Sequence, residues 1–87
     1  MRNTLVLLAL LLAAATVPQA RASCDEEDID TVSSDGQIIE LTDGTVWRSL
    51  DPATSATWLS TETVLVCNDD EMINKDENGE KVDVVKE

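Results

Sequence analysis

The stretch QIIELTDGTVWRSL, from Gln37 to Leu50, places Asp43-Gly44 between two runs of strand-forming residues. Asp-Gly in this setting is a strong hairpin signal, because a type I′ turn needs positive φ at both of its central residues. The sequence therefore predicts a β-hairpin with Asp43 and Gly44 as its two loop residues. We take this hairpin as the start of the fold.

The turn type fixes the register of the hairpin. With a two-residue loop, Leu41 pairs with Val46. Because side chains alternate between the faces of a strand, one face then carries the apolar residues expected to form the core, namely Ile39, Leu41, Val46 and Leu50. Trp47 falls on the opposite face, where it would cover an edge or a neighbouring strand.

Short strands bounded by Gly, Asn and Asp turns are predicted on both sides of the hairpin, at residues 29–34, 62–67, 71–74 and 81–85. Val82 and Val84 share one face of the last strand. Asp51-Pro52 favours one helical turn over 53–56 with Asp51 as the N-cap, and a plain loop is the alternative. The pattern predicts an all-β fold, a small antiparallel barrel or curled sheet of five to six short strands, SH3-like or OB-like.

The first 22 residues have the features of a signal peptide. Arg2 precedes an uncharged apolar run over 5–15, and Ala20-Arg21-Ala22 fits the small-x-small pattern of a cleavage site. The run is shorter than the roughly 20 residues that span a bilayer. We predict cleavage of 1–22 and a single β domain over 23–87, located in the periplasm or secreted. An uncleaved membrane anchor is the alternative.

Cys24 and Cys67 are the only cysteines of the chain. A domain of this size buries only about 60% of its unfolded surface, so its core alone gives marginal stability. An exported chain enters an oxidising compartment, which favours a Cys24–Cys67 disulfide worth on the order of 4 kcal/mol in the chain-entropy model. Two free thiols are the alternative. The acidic residues 23–28 are expected to be extended, pinned by this bridge and poorly ordered beyond Cys24.

The predicted mature chain is strongly acidic, with four Lys and Arg against 18 Asp and Glu, a net charge of −14. Binding to nucleic acids and to anionic membranes depends on Lys and Arg, so neither is an expected partner, and no membrane contact is expected after cleavage. The charge is compatible with cationic partners, with divalent ions, or simply with solubility.

Catalytic and cofactor chemistry find little support in the composition. The chain contains no His, and its lysines lie in acid-rich segments that give no sign of a desolvated base. No cofactor-binding motif is present. A pair of carboxylates could serve a small hydrolase, but a domain of this size offers at most a shallow groove. We expect no enzymatic activity and keep the hydrolase as the less favoured alternative.

A weak calcium site is the other alternative. Asn74, Asp76, Asn78 and Glu80, with Gly79 between the last two, approximate the first half of an EF-hand loop. The match fails at the twelfth position, where Val85 stands in place of a bidentate Glu. A polar turn between two short strands explains the same residues and is the preferred interpretation.

Trp47 and Trp58 are the only aromatic residues. They could form a platform for a sugar or a peptide, although a Trp in a small barrel is more often the largest piece of its core. The function predicted from these features is a non-catalytic binding module. It would use the Trp47 and Trp58 region, or an acidic face, against a protein partner of the cell envelope.

One pattern spans most of the mature chain: Leu41-x-Asp43-Gly44-Thr45-x-Trp47, then Trp58, then Val64-x-Val66, then Ile73-Asn74-x-Asp76. It resembles short exported bacterial proteins of uncharacterised function. The resemblance implies a bacterial envelope or secreted location and a small β domain. It carries no catalytic or binding residues to this chain, and the cysteine pair is not part of it.

Overall fold

The computed structural model describes residues 23–87, and the predicted signal peptide lies outside them. The elements are β1 Cys24–Val32, β2 Ile38–Leu41, β3 Val46–Ser49, α1 Pro52–Ser55, β4 Thr63–Cys67, β5 Glu71–Asn74 and β6 Glu80–Lys86. All strand pairs are antiparallel and close a barrel in the order β1-β2-β3-β6-β5-β4. The predicted small antiparallel barrel is confirmed. In this part of the chain no helix has the length and apolar character needed to cross a bilayer.

Two three-stranded meanders, β1-β2-β3 and β4-β5-β6, join along two seams. The long strands β1 and β6 form both seams. The first half of β1 pairs with β4 and its second half with β2, with an irregularity between Ile29 and Thr31. In the same way β6 pairs first with β5 and then, from Val84 onward, with β3. A strand that changes partner along its length lets six short strands enclose a single core.

The core is aliphatic apart from two tryptophans, and its buried hydrophobic cluster is Ile29, Ile39, Leu41, Trp47, Trp58, Val64, Val66, Met72, Val82 and Val84. These residues alternate with outward-facing ones along each strand, as a barrel requires. The predicted shared face of Val82 and Val84 is confirmed, and it points into the core.

The hairpin between β2 and β3 differs from the predicted two-residue turn. The amide of Gly44 donates to the Leu41 carbonyl at 3.0 Å, and the amide of Leu41 donates to the Thr45 carbonyl at 3.0 Å. The loop therefore has three residues, 42–44, and ends on Gly44 at φ +91°. A Gly with positive φ closing a three-residue loop is the next most common hairpin form. The predicted type I′ turn at Asp43-Gly44 was wrong.

The longer loop shifts the register by one residue. Ile39 pairs with Trp47, and Glu40 pairs with Val46, so the predicted Leu41–Val46 pair was wrong. Trp47 consequently points into the core and is 2% exposed, whereas Leu50, predicted as core, is 59% exposed. Val46, also predicted as core, faces outward and is half-buried.

The Asp43 side chain explains the longer loop. Its Oδ1 accepts hydrogen bonds from the Thr45 amide at 2.9 Å and from the Thr45 hydroxyl at 2.6 Å. Such local side-chain bonds offer the backbone an alternative to the strand ladder. Asp-Gly-Thr therefore encodes a three-residue loop here.

The acidic N-terminal segment was predicted to be poorly ordered, and the first strand was placed at 29–34. Both predictions were wrong, because β1 begins at Cys24 and residues 24–28 pair in register with β4. Asp and Glu are depleted in strands. The Cys24–Cys67 disulfide holds them there: the two cysteines are directly opposite across the β1–β4 ladder, with Cα atoms 4.0 Å apart.

The end of the barrel beside the β1–β2 turn is closed by α1 and Trp58. The predicted helical turn is confirmed at Pro52–Ser55 rather than 53–56, but Asp51 makes no side-chain cap to the helix backbone. Its Oδ2 instead accepts from the Thr54 hydroxyl at 2.9 Å. The helix docks through buried Ser55, whose hydroxyl donates to the Gly36 carbonyl at 2.7 Å.

This docking predicts that substitution by alanine destabilises the protein more at one glycine than at another. A Cβ at Gly36 would collide with the Pro52 carbonyl oxygen and the Ala56 backbone, whereas nothing lies within 4 Å of a Cβ at Gly44. Both have positive φ, so Gly44→Ala provides the matched control for backbone strain. We expect Gly36→Ala to lower the free energy of unfolding by about 2–4 kcal/mol and Gly44→Ala by about 1 kcal/mol. Urea denaturation measures both, and equal losses would contradict the docking.

Candidate functional site

The barrel end opposite α1 is open and charged. A cavity of about 100 Å³ lies there, walled by the Trp47 side chain and lined by five charged residues, Asp25, Glu27, Asp43, Asp69 and Lys86. We call these five residues the acidic mouth. They come from β1, from the β2–β3 and β4–β5 turns and from the end of β6, so every strand connection at this end contributes or adjoins a charge.

Strand alternation explains why charges point into a barrel. Asp25 lies opposite Val66, and Glu27 lies opposite Val64, whose side chains are both buried. Cross-strand partners share a face, so both acids occupy inward positions at the rim. On the other side of the opening, Lys86 lies opposite the buried Trp47. At this end of the barrel, the outermost inward positions of β1 and β6 are thus charged rather than apolar.

Lys86 is the cation of the mouth. Its Nζ lies 5.6 Å from the centroid of the Trp47 ring, within the range of a cation–π contact. The indole is fixed in turn, because Trp47 Nε1 donates to the Thr45 hydroxyl oxygen at 2.8 Å. Thr45 also donates to Asp43, and these bonds, with a smaller effect from the charge of Lys86, lower the pKa of Asp43. The ring, hydroxyl and carboxylate form one rigid wall.

Glu27 shows the electrostatic imbalance of the mouth. Its pKa is raised, first by desolvation at the rim and then by repulsion from Asp43, Asp25 and Asp28. Four carboxylates face a single ammonium group, so the mouth has an excess of negative charge beside an aromatic face. An additional cation would relieve that repulsion.

The two tryptophans do not form one surface. Each is 2% exposed. Trp58 Nε1 donates to Glu80 Oε1 at 2.8 Å, near the start of β6, while Trp47 lies opposite Lys86 at its end. Both rings belong to the core, the interpretation that the sequence favoured over a binding platform. Neither offers an open stacking platform, and Trp47 enters the candidate site only as a wall of the acidic mouth.

Two of the residues considered for a weak calcium site, Asn74 and Asp76, instead attach the turn between β5 and β6 to the start of β4. Asn74 is fully buried; its Nδ2 donates to Glu62 Oε1 at 2.9 Å, and its Oδ1 accepts from the Asp76 amide at 2.8 Å. Asp76 Oδ2 accepts from the Thr63 amide at 2.8 Å. Asn78 lies at φ +55° within the turn before β6. Across residues 23–87, no three His, Cys, Asp or Glu side chains are grouped so as to hold a metal ion.

Two carboxyl groups beside this turn interact with one another. Although burial opposes it, hydrogen bonds from the Leu59 amide, from Glu77 and from Asn74 lower the pKa of Glu62. The bond to Glu62 raises the pKa of Glu77, with desolvation and nearby acids adding to the rise. This pair lies at the closed end of the barrel, with the carboxylates of Asp76 and Glu80 nearby. It stabilises the loop before β4 rather than lining the cavity.

The acidic mouth was missed from the sequence because residues 23–28 were not assigned to a strand. The signal was present in the cysteines. Placing Cys24 directly opposite Cys67 puts Asp25 across from Val66 and Glu27 across from Val64. Because those valines belong to a clear buried strand, the pairing alone predicts two inward acids.

Comparisons of this chain with protein-family models, with curated proteins and with solved structures found no match. The candidate site is therefore defined by its own geometry.

The raised pKa of Glu27 predicts a stabilising substitution. Because the folded state binds a proton at Glu27 more readily than the unfolded state, stability falls as the pH rises through the interval above the ordinary value of 4.5, and the full penalty is present at neutral pH. Glu27→Gln should therefore raise the Tm at neutral pH and flatten the profile of stability against pH. Calorimetry across the acid range measures both effects.

Asp30→Asn is the matched control, since it removes one negative charge from an exposed position outside the mouth. An equal rise in Tm for both variants would indicate general charge relief and contradict a local imbalance at Glu27.

Proposed function

We propose that this protein is a non-catalytic binding module of the bacterial envelope or of the secreted space, and that its acidic mouth receives a basic side chain of a protein partner. This proposal extends the predicted acidic-face interaction and gives it a location. The observation that carries it is the cavity itself, with carboxylates on several sides and an indole face already contacted by an ammonium group.

The contact made by Lys86 indicates the chemistry of the ligand. Its ammonium lies over the Trp47 ring, and its charge adds a smaller effect to the Thr45 hydrogen bonds that lower the pKa of Asp43, so an organic cation already has both an aromatic and an anionic partner here. A negative field in a concave site also raises the local concentration of cations and speeds their encounter. Lysine and arginine side chains of a partner have the charge and the apolar stem that suit this wall.

The charge distribution over the rest of the domain supports the same partner. The other three basic residues of the described chain are each engaged in a surface ion pair, Arg48 with Glu87, Lys75 with Glu26 and Lys81 with Glu71. Such exposed pairs contribute little stability, but they confine positive charge to positions outside the mouth. A basic partner would meet a surface that is acidic on nearly every approach.

The proposal has two further parts, namely that the protein is not a catalyst and that it is exported. The single hydroxyl lining the mouth, that of Thr45, both accepts from Trp47 and donates to Asp43, which leaves it poorly placed as a nucleophile. The disulfide is consistent with an oxidising compartment, which suits the predicted signal peptide.

Titration with a lysine peptide followed by NMR tests this function. The probe is the acetylated and amidated peptide Gly-Lys-Gly, and its norleucine analogue removes only the charge. We expect the lysine peptide to shift the indole signal of Trp47 and to leave that of Trp58 unchanged, because Trp58 lies at the closed end. Added salt should weaken the effect, since the interaction is electrostatic.

Two variants with equal changes in net charge provide the control. Glu27→Gln should weaken binding by about three- to tenfold, whereas Glu77→Gln, at the opposite end of the barrel, should leave it unchanged. Lys86→Met should strengthen binding, because it removes the resident ammonium. Equal effects at Glu27 and Glu77, or equal binding of the norleucine peptide, would overturn the proposal. A response to CaCl₂ confined to residues 74–80, with none to the peptide, would favour the calcium alternative.

A further inference from the structure

The first half of β1 is attached to the barrel mainly from one side. Residues 24–28 pair with β4, whereas pairing with β2 begins only at Ile29. On the β2 side, the Asp28 carbonyl accepts from the Thr42 amide at 2.9 Å, beside the register irregularity. The free end of this half-strand is closed by the Cys24–Cys67 disulfide. We call the five pairs from Cys24–Cys67 to Asp28–Thr63 the acidic seam.

The side chains add little to the backbone ladder of the acidic seam. Four consecutive acids, Asp25 to Asp28, occupy a strand that their residue types disfavour. They repel one another and the nearby Asp43, and this repulsion adds to desolvation, the larger cause, in raising the pKa of Glu27. Besides the backbone ladder, two exposed side-chain contacts counter this: the ion pair of Lys75 with Glu26 at 3.3 Å and the hydrogen bond from the Thr63 hydroxyl to Asp28 Oδ1 at 3.0 Å. Exposed pairs of this kind contribute little.

The second half of β1 is held much more strongly. Ile29 is 1% exposed in the core; its amide donates to the Glu62 carbonyl at 2.8 Å, and its carbonyl accepts from the Thr61 amide at 2.8 Å. The irregularity between Ile29 and Thr31 lies at the boundary between the two halves. The strand therefore has a fixed half, a register irregularity and an acidic half whose free end is held by the disulfide.

We propose that the Cys24–Cys67 bond is a redox latch, and that its reduction releases residues 24–28 from β4 while the rest of the barrel stays folded. A dithiol reductant attacks the disulfide through its thiolate, forms a mixed disulfide and then closes its own ring. Two electrons and two protons pass to the protein, leaving two cysteine thiols and an oxidised reductant. Cys24 is the more accessible half of the disulfide, since this residue is exposed whereas Cys67 is 3% exposed.

Release of the half-strand changes two surfaces at once. Asp25 and Glu27 leave the acidic mouth, and the edge of β4 that carries Val64 and Val66 becomes unpaired. An unpaired β-branched edge is a template for another strand. This latch does not depend on the proposed function, because the release of the strand is measurable without any ligand.

Hydrogen exchange followed by NMR on the full mature chain tests the latch. We expect reduction with dithiothreitol to lower the protection of the Asp25 and Glu27 amides, which face β4, by about tenfold or more relative to that of Val84, which lies in the β3–β6 seam. Cys24→Ser combined with Cys67→Ser should reproduce the effect without reductant. Unchanged protection at Asp25 and Glu27 would overturn the proposal, and so would an equal loss at Val84, because that indicates global unfolding.

A charge variant separates repulsion from the simple loss of a cross-link. In the double-serine background, Asp25→Asn with Glu27→Gln should restore at least part of the lost protection, and high salt should act in the same direction. Asp30→Asn with Glu77→Gln, both outside the acidic mouth, is the matched control and should restore less. Equal recovery from both pairs would contradict an origin of the opening in the acidic strand.

Discussion

The register of the acidic strand depends on one covalent constraint. Cys24 and Cys67 face each other directly across β1 and β4, and that pairing aligns every residue from Asp25 to Asp28 with a partner. Without it, four consecutive carboxylates at the start of a domain would have little reason to join a sheet. With it, the barrel closes, and two of the four carboxylates point inward. The same bond therefore accounts for the closed topology and for the charge at the open end.

The two ends of the barrel differ in what lies between the core and the solvent. At one end α1 and Trp58 cover the core, and the polar groups there are paired, as in the bond from Ser55 to the Gly36 carbonyl. At the other end the rim residues are charged, and the aromatic ring of Trp47 lies at the base of a cavity. Burial and hydrogen bonding dominate the first end, and electrostatics dominates the second. The proposed cationic ligand suits the second end and not the first.

Much of the fold followed from short-range patterns, and the failures have identifiable causes. β5 was predicted with its observed bounds, and the alternation of Val82 and Val84 correctly placed both on one face of β6. The register of the central hairpin was predicted wrongly. The bonds between Asp43 and Thr45 favour a three-residue loop over the two-residue form that Asp-Gly alone suggests. The acidic mouth could not be predicted from propensity, since a long-range disulfide overrides the local preference of residues 24–28. It could have been inferred from the cysteine pairing.

The row of acids along the half-paired part of β1 also bears on how copies of this chain behave when crowded. Open strand backbone is where β proteins begin to join edge to edge into aggregates, and charged side chains are a common natural defence. Here Glu26 and its neighbours place like charge beside that backbone. Two copies approaching through this edge repel each other. The acids that disfavour a strand here therefore also oppose aggregation through its open edge.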